Sequence, residues 1–317
     1  MNSQNSPLPS RSHRPLRNVL IATSFGDESD AVVRQGIALA RVAGARVFLV
    51  HAVELDLLPV GLDAGPVSDP GRIGRCEEDL RRQVERLGEG WEPAGAEVRM
   101  GTPHRVLAEM AEQTAADLIV VGATRSGSFT AELLGSTADR VLRKASCPVL
   151  VVRNGLPMPR KVLAPVDLSP VSGEAFRRGL HLLAQLSDGG EIQVRVVYAL
   201  GLLDALAVRQ RTGGQMPLEE VERPVAEELA RFVSQNLENL PGERFQVETA
   251  VLSGEARVEI LRELEERPAD LVILGTHGRG GWDRLVLGSV ASTVARKAPC
   301  SVLVVPPDAA LAEQEER

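Results

Sequence analysis

The sequence predicts an α/β chain of two tandem, doubly wound domains, each a five-stranded parallel sheet flanked by helices. Three observations point there. Short runs that are apolar at every position, such as Leu271-Val272-Ile273-Leu274, alternate with longer amphipathic stretches, as strands buried on both faces do. The chain also matches itself: RNVLIATSFGDESDAVVRQGIALA resembles RKVLAPVDLSPVSGEAFRRGLHLLA, AADLIVVG resembles PADLVILG, and LLGSTADRVLRKASCPVLVV resembles VLGSVASTVARKAPCSVLVV. Such a long period marks a duplicated domain, because solenoid units run only about 20–50 residues. Finally, 317 residues hold two domains of near-modal size, each able to bury a core.

The elements follow in order. Residues 1–16 are polar, contain proline and lack a hydrophobic segment, so they read as a disordered tail and not a signal peptide. Domain 1 covers 17–153, with strands expected near 18–23, 46–52, 96–100, 117–122 and 148–152. A short Gly/Pro linker, 154–160, should hold the domains close. Domain 2 covers 161–306, with strands near 161–166, 192–199, 245–252, 270–275 and 301–305 and helices near 171–186, 218–239, 255–266 and 288–298. Residues 307–317 form a C-terminal tail. Val19 matches Val162 while Cys147 matches Cys300, so the offset widens and copy two carries extra loop or helix length. The segments 54–75 and 200–217 differ most between copies and are expected as loops covering the crevices.

Composition excludes several classes. A net charge of −7 with two Trp, one Tyr and six Phe disfavours nucleic-acid binding, which wants a basic face and stacking rings. No apolar run approaches a membrane span. Three cysteines without a secretory signal point to a reducing cytoplasm, with Cys147 and Cys300 as buried small apolar residues.

The chemistry-bearing motif lies in the second copy. Its fourth apolar run enters Gly275-Thr276-His277-Gly278, and after nine further residues comes Gly288-Ser289. Glycine lets main chain approach an anion, and a helix start offers unpaired N–H groups and a favourable dipole. In the first copy Arg125 stands at the second glycine and Ser24 aligns with Asp167, while Gly122, Gly135 and Ser136 remain. The chain has no G-x-x-x-x-G-K-[ST] and no full G-x-G-x-x-G, and no nucleophile–base pair stands out, so dedicated catalysis is unsupported.

On these residues the unit resembles the universal stress protein family, and the chain resembles a tandem member of it. The family motif G-x2-G-x9-G-[ST] is matched by Gly275, Gly278, Gly288 and Ser289, and the acid closing the first strand by Asp167. The resemblance implies that domain 2 binds ATP or a related adenine nucleotide with Mg²⁺. Leu274 and Gly275 would lead into the loop, and Gly275 and Gly278 would bring amides to the phosphates. Gly288, Ser289, Val290 and Ala291 would open a helix toward the phosphate tail. Pro165, Val166 and Asp167 would end the first strand near the ribose, with Asp167 near the ribose or the metal, and the Ala199 main chain would read the adenine edge. His277 could bond to backbone or move protons, Arg279 could screen phosphate or lie at the surface, and Asp167 could serve only its own turn. The resemblance further implies pairing of the domains through Val149–Val152 and Val302–Val305, a role in stress response or signalling through a protein partner, and pairing of whole chains. Two alternatives stay open: a slow ATPase or a protein phosphorylating itself at Ser289, and a nucleotide-free scaffold. Domain 1 reads as a degenerate site and built-in partner, although Arg125 could instead grip a phosphate.

Overall fold

The computed structural model describes residues 15–54, 71–87, 91–123, 134–153, 158–211, 217, 220–238, 240, 244–276 and 287–307. The first copy runs β1 (Asn18–Thr23), α1 (Asp27–Ala43), β2 (Arg46–Val53), α2 (Arg72–Leu87), β3 (Gly95–Met100), α3 (Pro103–Gln113), β4 (Leu118–Gly122), α4 (Ser136–Lys144) and β5 (Val149–Val152). The second runs β6 (Lys161–Pro165), α5 (Pro170–Leu186), β7 (Ile192–Leu200), α6 (Leu202–Arg211), α7 (Glu222–Leu237), β8 (Phe245–Ser253), α8 (Ala256–Glu266), β9 (Leu271–Gly275), α9 (Ser289–Lys297) and β10 (Ser301–Val305). The strands join in one sheet of order β3-β2-β1-β4-β5-β10-β9-β6-β7-β8. Pairing is parallel within each half, and β5 meets β10 antiparallel, with Val151 opposite Val302, Leu150 opposite Leu303 and Val149 opposite Val304. The terminal strands thus bury each other's edges, as expected of apolar edges.

One segment departs from expectation. Leu202–Arg211 forms α6 where a loop was expected. It is rich in strong helix formers and follows Gly201, and Ala205 is buried on the core while Val208 packs against it. The neighbouring helix is correspondingly shorter than 218–239, beginning at Glu222.

Helices cover both faces. One core layer joins Val33 and Ile37 of α1 with Leu180 and Leu183 of α5 and Leu229 of α7, so it runs continuously under both halves. The other joins Val106 and Met110 of α3 and Val141 of α4 with Ile260 of α8 and Val294 of α9. The repeated glycines Gly36 and Gly179 let α1 and α5 lie on the sheet. A Cβ at Gly36 would meet Ile21 Cδ1 at 2.5 Å, and one at Gly179 would come closer still to Ile273 Cγ2.

Two aspartates, again repeated, staple the central strands at their starts. Asp117 Oδ2 accepts from the N–H groups of Arg17 (2.8 Å) and Asn18 (3.0 Å). Asp270 Oδ2 accepts from those of Arg160 and Lys161, both at 2.9 Å. The segment leading into β1 also crosses to the other half: the buried Leu16 donates its N–H to Gln185 Oε1 of α5 at 2.6 Å.

The α4–α9 seam carries further polar contacts between halves. Asp139 of α4 accepts from Arg143 (3.1 Å) on its own helix and from Arg296 (2.8 Å) of α9, while Arg143 also reaches Ser292 Oγ at 3.5 Å. Burial pushes the Asp139 pKa up, but the hydrogen bonds from Arg143 and Arg296 outweigh it and hold the carboxyl below its usual range.

Candidate nucleotide crevice of the second domain

In domain 2 the chain winds from β6 outward through β7 to β8, then returns to the other side of β6 for β9 and β10. The winding therefore reverses between β6 and β9, and such sheets take ligands beyond the carboxyl ends of the strands at that point. Pro165, Val166 and Asp167 close β6 there, and Leu274 and Gly275 close β9. Gly288 donates its N–H to Thr276 O at 2.8 Å, which brings the start of α9 back to the end of β9.

Among the described residues no side chain caps that helix start. Gly288 is the N-cap in extended conformation (φ −55, ψ 154) and offers no side-chain cap. Ser292 N–H takes the Gly288 carbonyl at 2.8 Å, so the amides of Ser289, Val290 and Ala291 precede the first intrahelical bond. Ser289 is exposed, Val290 half-buried and Ala291 buried. Donors at the positive end of a helix dipole, for which the described residues supply no side-chain cap, suit an acceptor-only group such as phosphate.

The end of β7 offers a second set of polar main-chain groups. β6 pairs with β7 only to Pro165 opposite Val197, and Val166 N–H then bonds Val197 O at 2.9 Å. β7 continues to Leu200, whose carbonyl turns the other way and accepts from Gly254 N–H at 3.1 Å. By the two-residue alternation of strands, the N–H and C=O of Ala199 face the side where β6 has ended. An adenine edge, which carries both a donor and an acceptor, matches such a pair.

Asp167 sits in the turn after β6. Its Oδ1 accepts from Ser169 N–H (3.0 Å) and Ser169 Oγ (2.6 Å), and its N–H bonds Ser172 Oγ at 3.2 Å. Leu168 is held at φ 65, a left-handed conformation uncommon for a non-glycine residue. Ser169 then caps α5 by accepting from Ser172 N–H at 3.1 Å. The carboxylate thus organises its own turn while standing at the mouth of the crevice.

The first domain repeats this turn with altered residues. Ser24 N–H bonds Ser29 Oγ at 3.0 Å, as Asp167 bonds Ser172, and Phe25 takes φ 62. His51 Nδ1 contacts Thr23 O at 2.8 Å and the Phe25 ring lies against the imidazole, centroids 4.3 Å apart. Gly135 N–H closes on Ala123 O at 2.6 Å, as Gly288 does on Thr276. His277, Gly278 and Arg279, with Arg125 of the first copy, lie outside the described residues.

Sequence reasoning passed over Ser172, Asp270, Asp139 and Arg153. Ser172 and Asp270 recur in register with Ser29 and Asp117, so the internal repeat held the signal for both. Cys147 is buried and Cys300 half-buried, and both are free thiols. Burial pushes the Cys300 thiol up to about 11, which keeps it protonated and unreactive near neutral pH. Among the described residues no three or more His, Cys, Asp or Glu side chains are grouped to hold a metal, and no helix is long and apolar enough to cross a membrane.

Two sheets of order 3-2-1-4-5 fused edge to edge, with a helix start exposed at each point of reversal, define a tandem, doubly wound α/β protein. The sequence model of the Universal stress protein family matches residues 15–153 and again 158–306, and the chain belongs to that family. A universal stress protein of Mycobacterium tuberculosis and one of Mycobacterium bovis are each 30% identical over 92% of this chain and 97% of their own length. Among solved structures, a functionally unknown protein from Pseudomonas aeruginosa superposes with TM-score 0.63 at 18% identity, covering 97% of this chain and 98% of its own. A universal stress protein from Archaeoglobus fulgidus gives TM-score 0.58 at 20% identity over 92% of this chain and 97% of its own. These structural likenesses establish the fold.

Proposed function

We propose that the chain binds ATP, or a related adenine nucleotide, in the crevice of its second domain and acts in the cytoplasm in stress response or signalling through a protein partner. The observation that carries this reading is the uncapped start of α9, returned to the end of β9 within an intact Gly275, Gly278, Gly288, Ser289 spacing. The amides of Ser289, Val290 and Ala291 and the Ser289 hydroxyl would hold phosphate oxygens. Ala199 would meet the base, and Asp167 with Pro165 and Val166 would flank the ribose. One anion at a helix start contributes about 0.3–1 kcal/mol, or about 2 when partly buried, so binding requires these groups together. Magnesium, which prefers phosphate and water oxygens, would arrive on the phosphates and neutralise their charge, with Asp167 the carboxylate proposed to lie beside it.

Calorimetric titration of the full chain with ATP and Mg²⁺ tests the reading. Wild type should take one nucleotide per chain, Gly278→Arg should take none, and Arg125→Gly should gain a second. Undiminished binding by Gly278→Arg would overturn the site, and no binding at millimolar ATP would leave the scaffold reading. The exposure of Ser289 at the first helical position favours a second reading, slow hydrolysis or self-phosphorylation there. Steady ADP release, or phosphate retained on Ser289, would be its sign.

A further inference from the structure

We propose that domain 1 holds the phosphate-facing helix of domain 2 in place through Arg153, making Arg153 a positioning residue for a crevice that lies in the other domain. The proposal rests on the nucleotide reading of that crevice. Arg153 follows β5 directly and is 9% exposed. Its guanidinium NH2 donates to Ala295 O at 2.8 Å and Arg296 O at 3.0 Å, both in the last turn of α9. Carbonyls there lack intrahelical partners and form the negative end of the dipole, so a buried cation is well matched to them. The helix is nine residues long, roughly 13 Å at 1.5 Å per residue, so its far end is the Ser289 turn. A rod that short passes any displacement of its anchored end to the other.

The anchor is itself fixed. Arg153 N–H donates to Ser301 Oγ at 3.0 Å, that hydroxyl contacts Arg153 O at 3.4 Å, and Ser301 is 1% exposed. The flank of α9 is held by Asp139 on Arg296 and by Arg143 on Ser292. The grip does not run the other way. Pro306 follows β10 where Arg153 follows β5, and proline has no side-chain donor for the end of α4. The clamped helix is therefore the one whose glycine motif is intact; the other belongs to the copy carrying Arg125. Among the described residues Arg153 Nε also has no hydrogen-bond partner although it is buried, an arrangement that costs stability. An apolar chain of similar length would pack there at little loss, and what it would lack is the hold on α9.

The test compares wild type, Arg153→Met and Arg153→Lys as full chains, titrated with ATP and with adenosine, alongside hydrogen exchange of α9 amides without ligand. Arg153→Met should weaken ATP by about threefold to tenfold, leave adenosine affinity unchanged, and speed exchange at Ser289–Ser292. Arg153→Lys, keeping a cation at the carbonyls, should recover most of the ATP affinity. Unchanged ATP affinity in Arg153→Met, or equal loss for ATP and adenosine, would overturn the proposal. Should wild type bind neither ligand, the nucleotide reading falls, and exchange along α9 still decides whether Arg153 holds that helix.

Discussion

Replacing Gly179 by alanine should destabilise the protein more than the same change at Gly36, although the two glycines occupy one position in the duplicated unit. At Gly36 the nearest atom is Ile21 Cδ1, at 2.5 Å, with Cγ1 behind it at 3.0 Å, the outer arm of a side chain that can rotate away. At Gly179 it is Ile273 Cγ2, a branch on a β-carbon whose χ1 is stiff, with Val305 Cγ2 a further 3.6 Å contact. Carbon atoms prefer separations of about 3.5–4.0 Å, so α5 must lift from the sheet or Ile273 must leave its rotamer. Such overpacking costs about 1–3 kcal/mol, offset by up to about 1 kcal/mol of alanine's helix preference. A net loss of about 1–2 kcal/mol is expected for Gly179→Ala, and about zero to 1 for Gly36→Ala. For domains of this size, that means a Tm lower by about 2–8 °C in the first case. Circular dichroism melts of both variants, with Ile21→Val added to Gly36→Ala, would measure it. If Gly36→Ala proved as costly as Gly179→Ala, or removal of Ile21 Cδ1 gave no relief, the steric account of the repeated glycine would fail.

Asp139→Asn should cost about 1 kcal/mol at neutral pH, because two arginines lose one shared carboxylate and one of them is half exposed. The folded pKa of Asp139 lies below 3.8, so its stabilisation is present above that value and lost as pH falls through the folded pKa. Urea melts of wild type and variant should differ at neutral pH and converge in acid. His104 behaves in the same sense for a different reason. Burial, then Lys144, Arg140 and Arg105, lower its pKa from 6.5 against the opposing pull of Glu54. The unfolded chain then takes up the proton first, stability falls as pH drops below 6.5, and His104→Gln should flatten that slope. Asp270→Ala should cost about 1–3 kcal/mol by freeing the two amides that start β6, read as faster exchange at Arg160 and Lys161.

Much of this architecture is written in the chain at short range. Runs such as LVIL and VLVV are apolar at every position because both faces of their sheet are covered, and all ten strands appear near their expected places. The places of Gly275 at the end of β9 and of Gly288 and Ser289 at the start of α9 were legible too, since the spacing of the glycines marks a strand end and a helix start. α6 was not, because its apolar pattern is short and only Ala205 and Val208 turn inward, leaving Leu202 and Leu203 to solvent. The seam was illegible for a deeper reason. Arg153 finds the end of α9, and Asp139 finds Arg296, only after two halves have folded and met. Nothing local distinguishes those arginines from the many on the surface. The repeated Asp117 and Asp270 lie between: their recurrence was visible, their bonds to strand starts were not.

The antiparallel meeting of β5 and β10 also decides how the protein presents itself to others. Because one half is turned end for end against its twin, the two crevice mouths look out from opposite margins of a single slab. The starts of α4 and α9, at Ser136 and Ser289, therefore open at opposite ends of one packed helix pair. On the nucleotide reading proposed above, a partner that senses the second domain meets it at the margin where α9 begins.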